Sequence, residues 1–221
     1  MILLAFAGCE APGLLQPLVD ELSDELVAEA SPGIRLFVGV TGVVAATCAV
    51  EDLVDDPLAG EAVEALGLVG EKFAKDADSG ELTWVEDAVG VDGAEGTLEL
   101  SADSARETWQ AEYERLGVET LAATLALDCG DDGDAVVSGG GTYTTAEGKH
   151  SLTLVGDAPV TGVWYEDATA LAPDEGQLRW ARDEDDLALL LDDASEIADG
   201  KWPGTASGPD WEDDEVEVDL P

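Results

Sequence analysis

Only a few side chains in this chain of 221 residues could carry chemistry, and the first is its single histidine, His150. A Ser-His-Asp triad would have to use it, yet no Gly-x-Ser-x-Gly elbow accompanies any serine. A zinc site needs three or four nitrogen and sulfur ligands, and one histidine with cysteines at positions 9, 48 and 129 supplies no paired spacing. His150 stands in alternation with Leu152 and Leu154, which makes it a half-buried core residue of a strand. Carboxylates are abundant, 51 in all, so that any fold brings pairs together and their presence alone does not indicate acid–base catalysis. Asp128, Asp131, Asp132 and Asp134 around Gly130 and Gly133 are weak calcium candidates, since calcium takes clustered oxygens; the closing Glu of an EF-hand is missing. Asp132-Gly133 is also a hairpin turn signal, and a plain acidic turn is the favoured reading there. Gly139-Gly140-Gly141 opens no helix behind a strand and reads as a turn rather than a phosphate cradle. Trp84, Trp109 and Trp180 share the phase of aliphatic neighbours and belong to a core. Trp202 and Trp211 lie among Gly and Pro and are the better candidates for exposed rings. No cofactor and no firm metal site follows from these residues.

The charge excludes more than it suggests. Lys and Arg number 9 against 51 Asp and Glu, a formal net charge of -42. Nucleic acid is excluded as a partner, because binding it requires bases that displace counterions. Acidic residues occur in almost every segment, which suits a surface kept hydrated in salt better than one dedicated cation site. With 45% hydrophobic residues the chain is a folded protein and not an acidic tail.

The N-terminus, Met1-Ile-Leu-Leu-Ala-Phe-Ala-Gly-Cys9, is a short apolar run that ends in two small residues and a cysteine. Phe6-Ala7-Gly8-Cys9 resembles the lipobox of bacterial lipoproteins. That resemblance covers only these nine residues and assigns no family to the rest. It implies that Cys9 is lipidated, that residues 1–8 are a signal-peptide remnant, and that the mature protein hangs from a membrane in the bacterial cell envelope, at the outer membrane or its periplasmic face. With Cys9 carrying lipid, Cys48 and Cys129 remain as an even pair. They form one disulfide in an oxidising compartment, or stay as two buried thiols.

These candidates need elements to position them. Residues 9–33 read as a tether and an amphipathic helix: Pro17 suits the first turn, Leu18, Val19, Leu22, Leu26 and Val27 recur at helical spacing, and Ser31-Pro32-Gly33 predicts the stop. Residues 34–221 read as one antiparallel β domain. Ile34–Val50 is β-branched, alternating and broken by Gly39 and Gly42, which predicts a bent strand or a hairpin. Pro57–Leu66 has helical spacing closed by Gly67. From Gly80 the period is two, carried by Leu98 and Leu100, by Trp109, Ala111 and Tyr113, by Leu121 to Leu127, by Leu152 and Leu154, by Leu178 and Trp180, and by Val216 and Val218. Leu187, Leu190, Leu191, Ala194 and Ile197 favour a helix over a buried strand. Residues 201–214 read as an ordered loop. Asp92-Gly93 and Asp132-Gly133 predict hairpins. The fold class is mainly β, a meander of about ten strands closing into a barrel or sandwich.

The function that follows is a lipid-anchored acidic envelope protein, non-catalytic, with a structural or interaction role and a protein partner. The alternative is a barrel that holds a small apolar ligand, lipocalin-like by architecture alone. An enzyme ranks third and a transmembrane barrel fourth, because most of the strands fall short of the span such barrels need.

Overall fold

The computed structural model describes residues 16–49, 74–75, 82–89, 95–103, 105, 107–130, 135–160, 162–163, 171–172, 175–182, 186–209 and 211–220. One helix, α1 (Gln16–Ala46), leads into fourteen strands: β1 (Ala74–Lys75), β2 (Leu82–Val89), β3 (Glu95–Ala102), β4 (Thr108–Arg115), β5 (Glu119–Cys129), β6 (Ala135–Thr145), β7 (Lys149–Val155), β8 (Ala158–Val160), β9 (Gly162–Val163), β10 (Leu171–Ala172), β11 (Gln177–Arg182), β12 (Leu187–Leu191), β13 (Lys201–Gly208) and β14 (Trp211–Asp219). The order β1-β2-β3-β4-β5-β6-β7-β11-β12-β13-β14 forms one antiparallel sheet, to which β8 adds beside β6; β9 and β10 form a separate pair. The mainly β, antiparallel reading with an N-terminal helix therefore holds. Closure into a barrel does not: among the described residues β1 and β14 remain unjoined edges.

The sheet curls instead around the helix. Gly33 meets the Tyr143 ring on β6, while Arg35, two residues on, donates to the Asp219 carbonyl on β14. β6 and β14 are five places apart, about 24 Å in a flat sheet at ~4.8 Å per strand. A helix about 10–12 Å across reaches both only if the strands bend around it. Burial agrees. In the second half of α1, Phe37, Val38, Gly39, Val40, Thr41 and Gly42 are all buried, and six successive residues cover every side of a helix, not one stripe.

That all-round burial corrects the expected strand over Ile34–Val50. β-branched residues pack well in strands, but tertiary burial overrides that propensity, and here the segment is the second half of α1. The expected stop at Ser31-Pro32-Gly33 is corrected with it. Pro32 withholds the N–H that the Ala28 carbonyl would accept, on a side of the helix where Ala28 is exposed, and the helix continues through it. Gly33 is a packing residue, since a Cβ there would lie 2.7 Å from Tyr143 Cδ1.

Three further expectations change near the sheet. Leu187–Leu191 is strand β12 and not a helix, followed by a 3-10 turn at Ala194–Glu196. Leu189 and Leu191 point inward and Leu190 outward, a period of two that a run of leucines conceals. The expected loop at 201–214 is the β13–β14 hairpin. Pro203 is tolerated there because its carbonyl accepts from Asp192 N–H on the β12 side, and N and O of one extended residue face the same way. On that side the β12 register ends at Leu191↔Gly204, leaving no ladder for the missing N–H to break. Gly139-Gly140-Gly141 lies inside β6 and is no turn. There β6 changes partner, from β8 at Ala135–Val137 to β7 at Gly140–Thr144. Gly139 sits at φ 121°, and a Cβ would fall 2.3 Å from the Thr124 carbonyl oxygen, so only glycine fits the bend. The alternating core of β3, β4, β5, β7 and β11 is as expected. The helix expected at Pro57–Leu66, and the turns at Asp92-Gly93 and Asp132-Gly133, lie outside the described residues.

Candidate functional site

A cluster of buried and part-buried polar side chains lies where the middle of α1 meets the ends of β5, β6, β7 and β11. Glu29 flanks the apolar stripe of α1, three residues beyond Leu26, and so faces the sheet. Arg182, at the end of β11, donates through Nη1 to both carboxylate oxygens, at 2.7 and 2.6 Å. His150, at the start of β7, is 1% exposed and stacks on Trp180 with ring centroids 5.0 Å apart. Glu29 Oε1 stands 3.7 Å from His150 Nδ1, and neither ring nitrogen has a hydrogen-bond partner among the described residues. Burial lowers the His150 pKa below its usual 6.5; the Glu29 charge pulls it up, and the Arg182 charge pushes it down again. The ring is therefore neutral at pH 7.

A second group adjoins the first. Tyr143 donates its hydroxyl to Glu119, which Arg115 also contacts at 3.1 Å. Burial, then this hydrogen bond and the Glu119 charge, raises the Tyr143 pKa. Tyr113 is raised by burial and by the same carboxylate. Both groups tie separate elements together: Glu29–Arg182 joins helix to sheet, and Tyr143–Glu119 braces the β5–β6 ladder. The exposed pair Lys201–Glu217 (2.8 Å) is of a kind that contributes only about 0–1 kcal/mol.

Beside α1 an open cleft of about 830 Å³ lies against β13 and β14. Its wall is acidic, with Asp24, Asp192, Asp214, Glu215, Glu217 and Asp219. Two of its groups are spent internally: Ser23 Oγ donates to Asp214 at 2.7 Å, and Lys201 holds Glu217. No group of three or more His, Cys, Asp or Glu among the described residues could hold a metal ion.

The expected residues fall as follows. Cys48 and Cys129 are bonded, with Cα atoms 5.4 Å apart, and join the end of α1 to the end of β5. Cys9 lies outside the described residues. Asp128 is exposed on β5, while Asp131, Asp132 and Asp134 lie outside the described residues, between the paired Cys129 and Ala135. His150 is more deeply buried than half. Trp109 and Trp180 are core, as expected. Trp202, expected to be an exposed ring, is fully buried and donates Nε1–H to the Asp192 carbonyl at 2.9 Å. Sequence reasoning missed Glu29, Arg182 and the Tyr143–Glu119–Arg115 group. The one signal for them is a carboxylate beside a helix's apolar stripe in a chain with few bases. Compared with known proteins, the chain matches no family model, no curated protein and no solved structure.

Proposed function

We propose that this chain is a non-catalytic, acidic cell-envelope protein, held to a membrane by lipid on Cys9, whose β domain has a structural or interaction role. The observation that carries this reading is that, among the described residues, the interior is filled. α1 occupies the inside of the curled sheet, with Ile34, Phe37 and Val44 wholly buried. A protein that holds a small apolar ligand needs the reverse, an apolar cavity of roughly 300 Å³ or more. The cleft here is open and walled by carboxylates, which suits hydration and not an apolar guest. The chain's one histidine is closed off from any substrate by the rings packed on it. In its finer form we take the architecture to be a sheet folded over α1, sandwich-like, with the helix as its filling.

Fractionation tests the anchoring. The wild-type chain should sediment with membranes and partition into detergent, while Cys9→Ser should be released or left unprocessed. Equal behaviour of the two overturns the anchor. Saturable, micromolar binding of a fluorescent fatty acid would overturn the filled-interior argument and restore the ligand-binding alternative.

A further inference from the structure

α1 runs from one end of the sheet to the other. Ser23 contacts Asp214 and Arg35 contacts Asp219, so the helix travels beside β14 in the same direction. Its far end is bonded to Cys129, the last residue of β5. Its beginning therefore lies at the end of the sheet that carries the β4–β5, β6–β7, β11–β12 and β13–β14 connections. Asp214 is three residues, about 10 Å, from the start of β14. The seven residues from Ser23 back to Gln16 rise by about the same 10 Å, so α1 starts level with the β13–β14 tip. Glu29, thirteen residues or about 20 Å further on, meets the last residue of β11 and the start of β7, so on that side the helix begins beyond the tips, at the same end of the sheet.

One of those tips is apolar. Leu116 is 87% exposed and Val118 49%, in a chain whose exposed positions are otherwise dominated by carboxylates. The turn is ordered: Val118 N–H donates to the Arg115 carbonyl at 2.9 Å, and Gly117 takes φ 74°. Its base is braced, because Arg115 meets Glu119 and Tyr143 donates to the same carboxylate from β6, with exposed Glu114 beside them. Exposed Lys149 adds a base at this end, against Glu147 and Asp186. Two apolar side chains held side by side on an ordered tip gain by burial at a bilayer interface.

We propose that the Leu116-Gly117-Val118 tip is a membrane-contact element that seats its two apolar side chains in the bilayer interface beside the anchor. The proposal rests on the reading that Cys9 carries the lipid. From Cys9 to Gln16 the chain spans at most about 25 Å, which holds this end of the sheet, and not the disulfide end, against the membrane.

The test uses the full chain with Cys48–Cys129 oxidised, so that Cys9 is the one free thiol. It is coupled through Cys9 to a maleimide-bearing phosphatidylethanolamine in phosphatidylcholine vesicles that contain a phosphatidylcholine with a photoactivatable acyl-chain diazirine. Irradiation and peptide mapping should place adducts on residues 115–119 at about ten times the level on the Gly156-Asp157 turn at the opposite end, and Leu116→Glu should remove most of them. Leu116 is exposed, so that substitution leaves the fold intact. Adducts shared equally by both ends, or confined to the residues next to Cys9, overturn the proposal; the second pattern also describes a tip that serves a protein partner. Because the tether is chemical, natural acylation is read separately. An unmodified Cys9 in membranes ends the anchoring reading without altering what the tethered tip shows.

Discussion

Removing the Cys48–Cys129 bond tests how the helix is held inside the sheet. The bond closes a loop of 81 residues. In the chain-entropy model a loop of that length withholds about 15 cal/mol/K from the unfolded chain, or about 4.5 kcal/mol at 25 °C. For a protein of this size that is a fall in melting temperature of roughly 9–18 °C. The assay is urea unfolding of the wild type and of the Cys48→Ser, Cys129→Ser double variant in 1 M NaCl, followed by calorimetry. The variant should also show a larger dependence on urea, because an uncrosslinked unfolded chain exposes more surface. Cys129 is exposed and Cys48 half-buried, so reduction with dithiothreitol should reproduce the loss. Agreement between reduction and substitution separates loop closure from any local effect of the serines. A loss below about 1 kcal/mol in both would refute the loop-closure reasoning.

Three other perturbations have definite signs. With a net charge of -42, melting temperature should rise with NaCl, most steeply at the low end, as the screening length shrinks from about 30 Å at 0.01 M to about 3 Å at 1 M; a flat response in a fluorimetric melt would contradict the repulsion argument. His150 is neutral when folded and has a lowered pKa, so the unfolded state binds the extra proton as pH falls through 6.5. Stability from this group is full above 6.5 and is lost below it, by up to about 1.4 kcal/mol per pH unit, until the lowered folded value is reached. His150→Phe keeps the stack on Trp180 and sacrifices no hydrogen bond, so its advantage over wild type in urea melts should grow between pH 7.5 and 5; a constant difference would contradict the linkage. Gly33→Val should destabilise by about 1–3 kcal/mol through overpacking against Tyr143, despite the better helix propensity of most residues over glycine; unchanged urea midpoints would show that the ring moves freely.

Much of the sheet is legible in the chain because β3, β4, β5, β7 and β11 each have one wet and one dry face, and alternation survives in Trp109-Gln110-Ala111-Glu112-Tyr113 and its neighbours. The helix core is illegible for the opposite reason. From Phe37 to Gly42 both flanks are buried, so no charged residues mark a period, and β-branched valines then suggest a strand. Leu187–Leu191 fails in the same way, with leucine on both faces. Pro203 and Gly204 read as loop punctuation because nothing in the sequence tells that the β12 ladder ends beside them. The cysteine pair was legible from an odd count, once Cys9 is set aside as the expected lipid carrier. The Glu29–Arg182–His150 cluster was not, since its members are separated by 153 residues or belong to alternations that predict only burial.

If a lipid on Cys9 holds this acidic β domain at a membrane, as we propose, the intact mass of the protein extracted from membranes will show it. The expected species is a chain that begins at Cys9 and carries the added mass of a diacylglyceryl group, with Cys48 and Cys129 oxidised. A chain that retains Met1 with an unmodified Cys9 would contradict it.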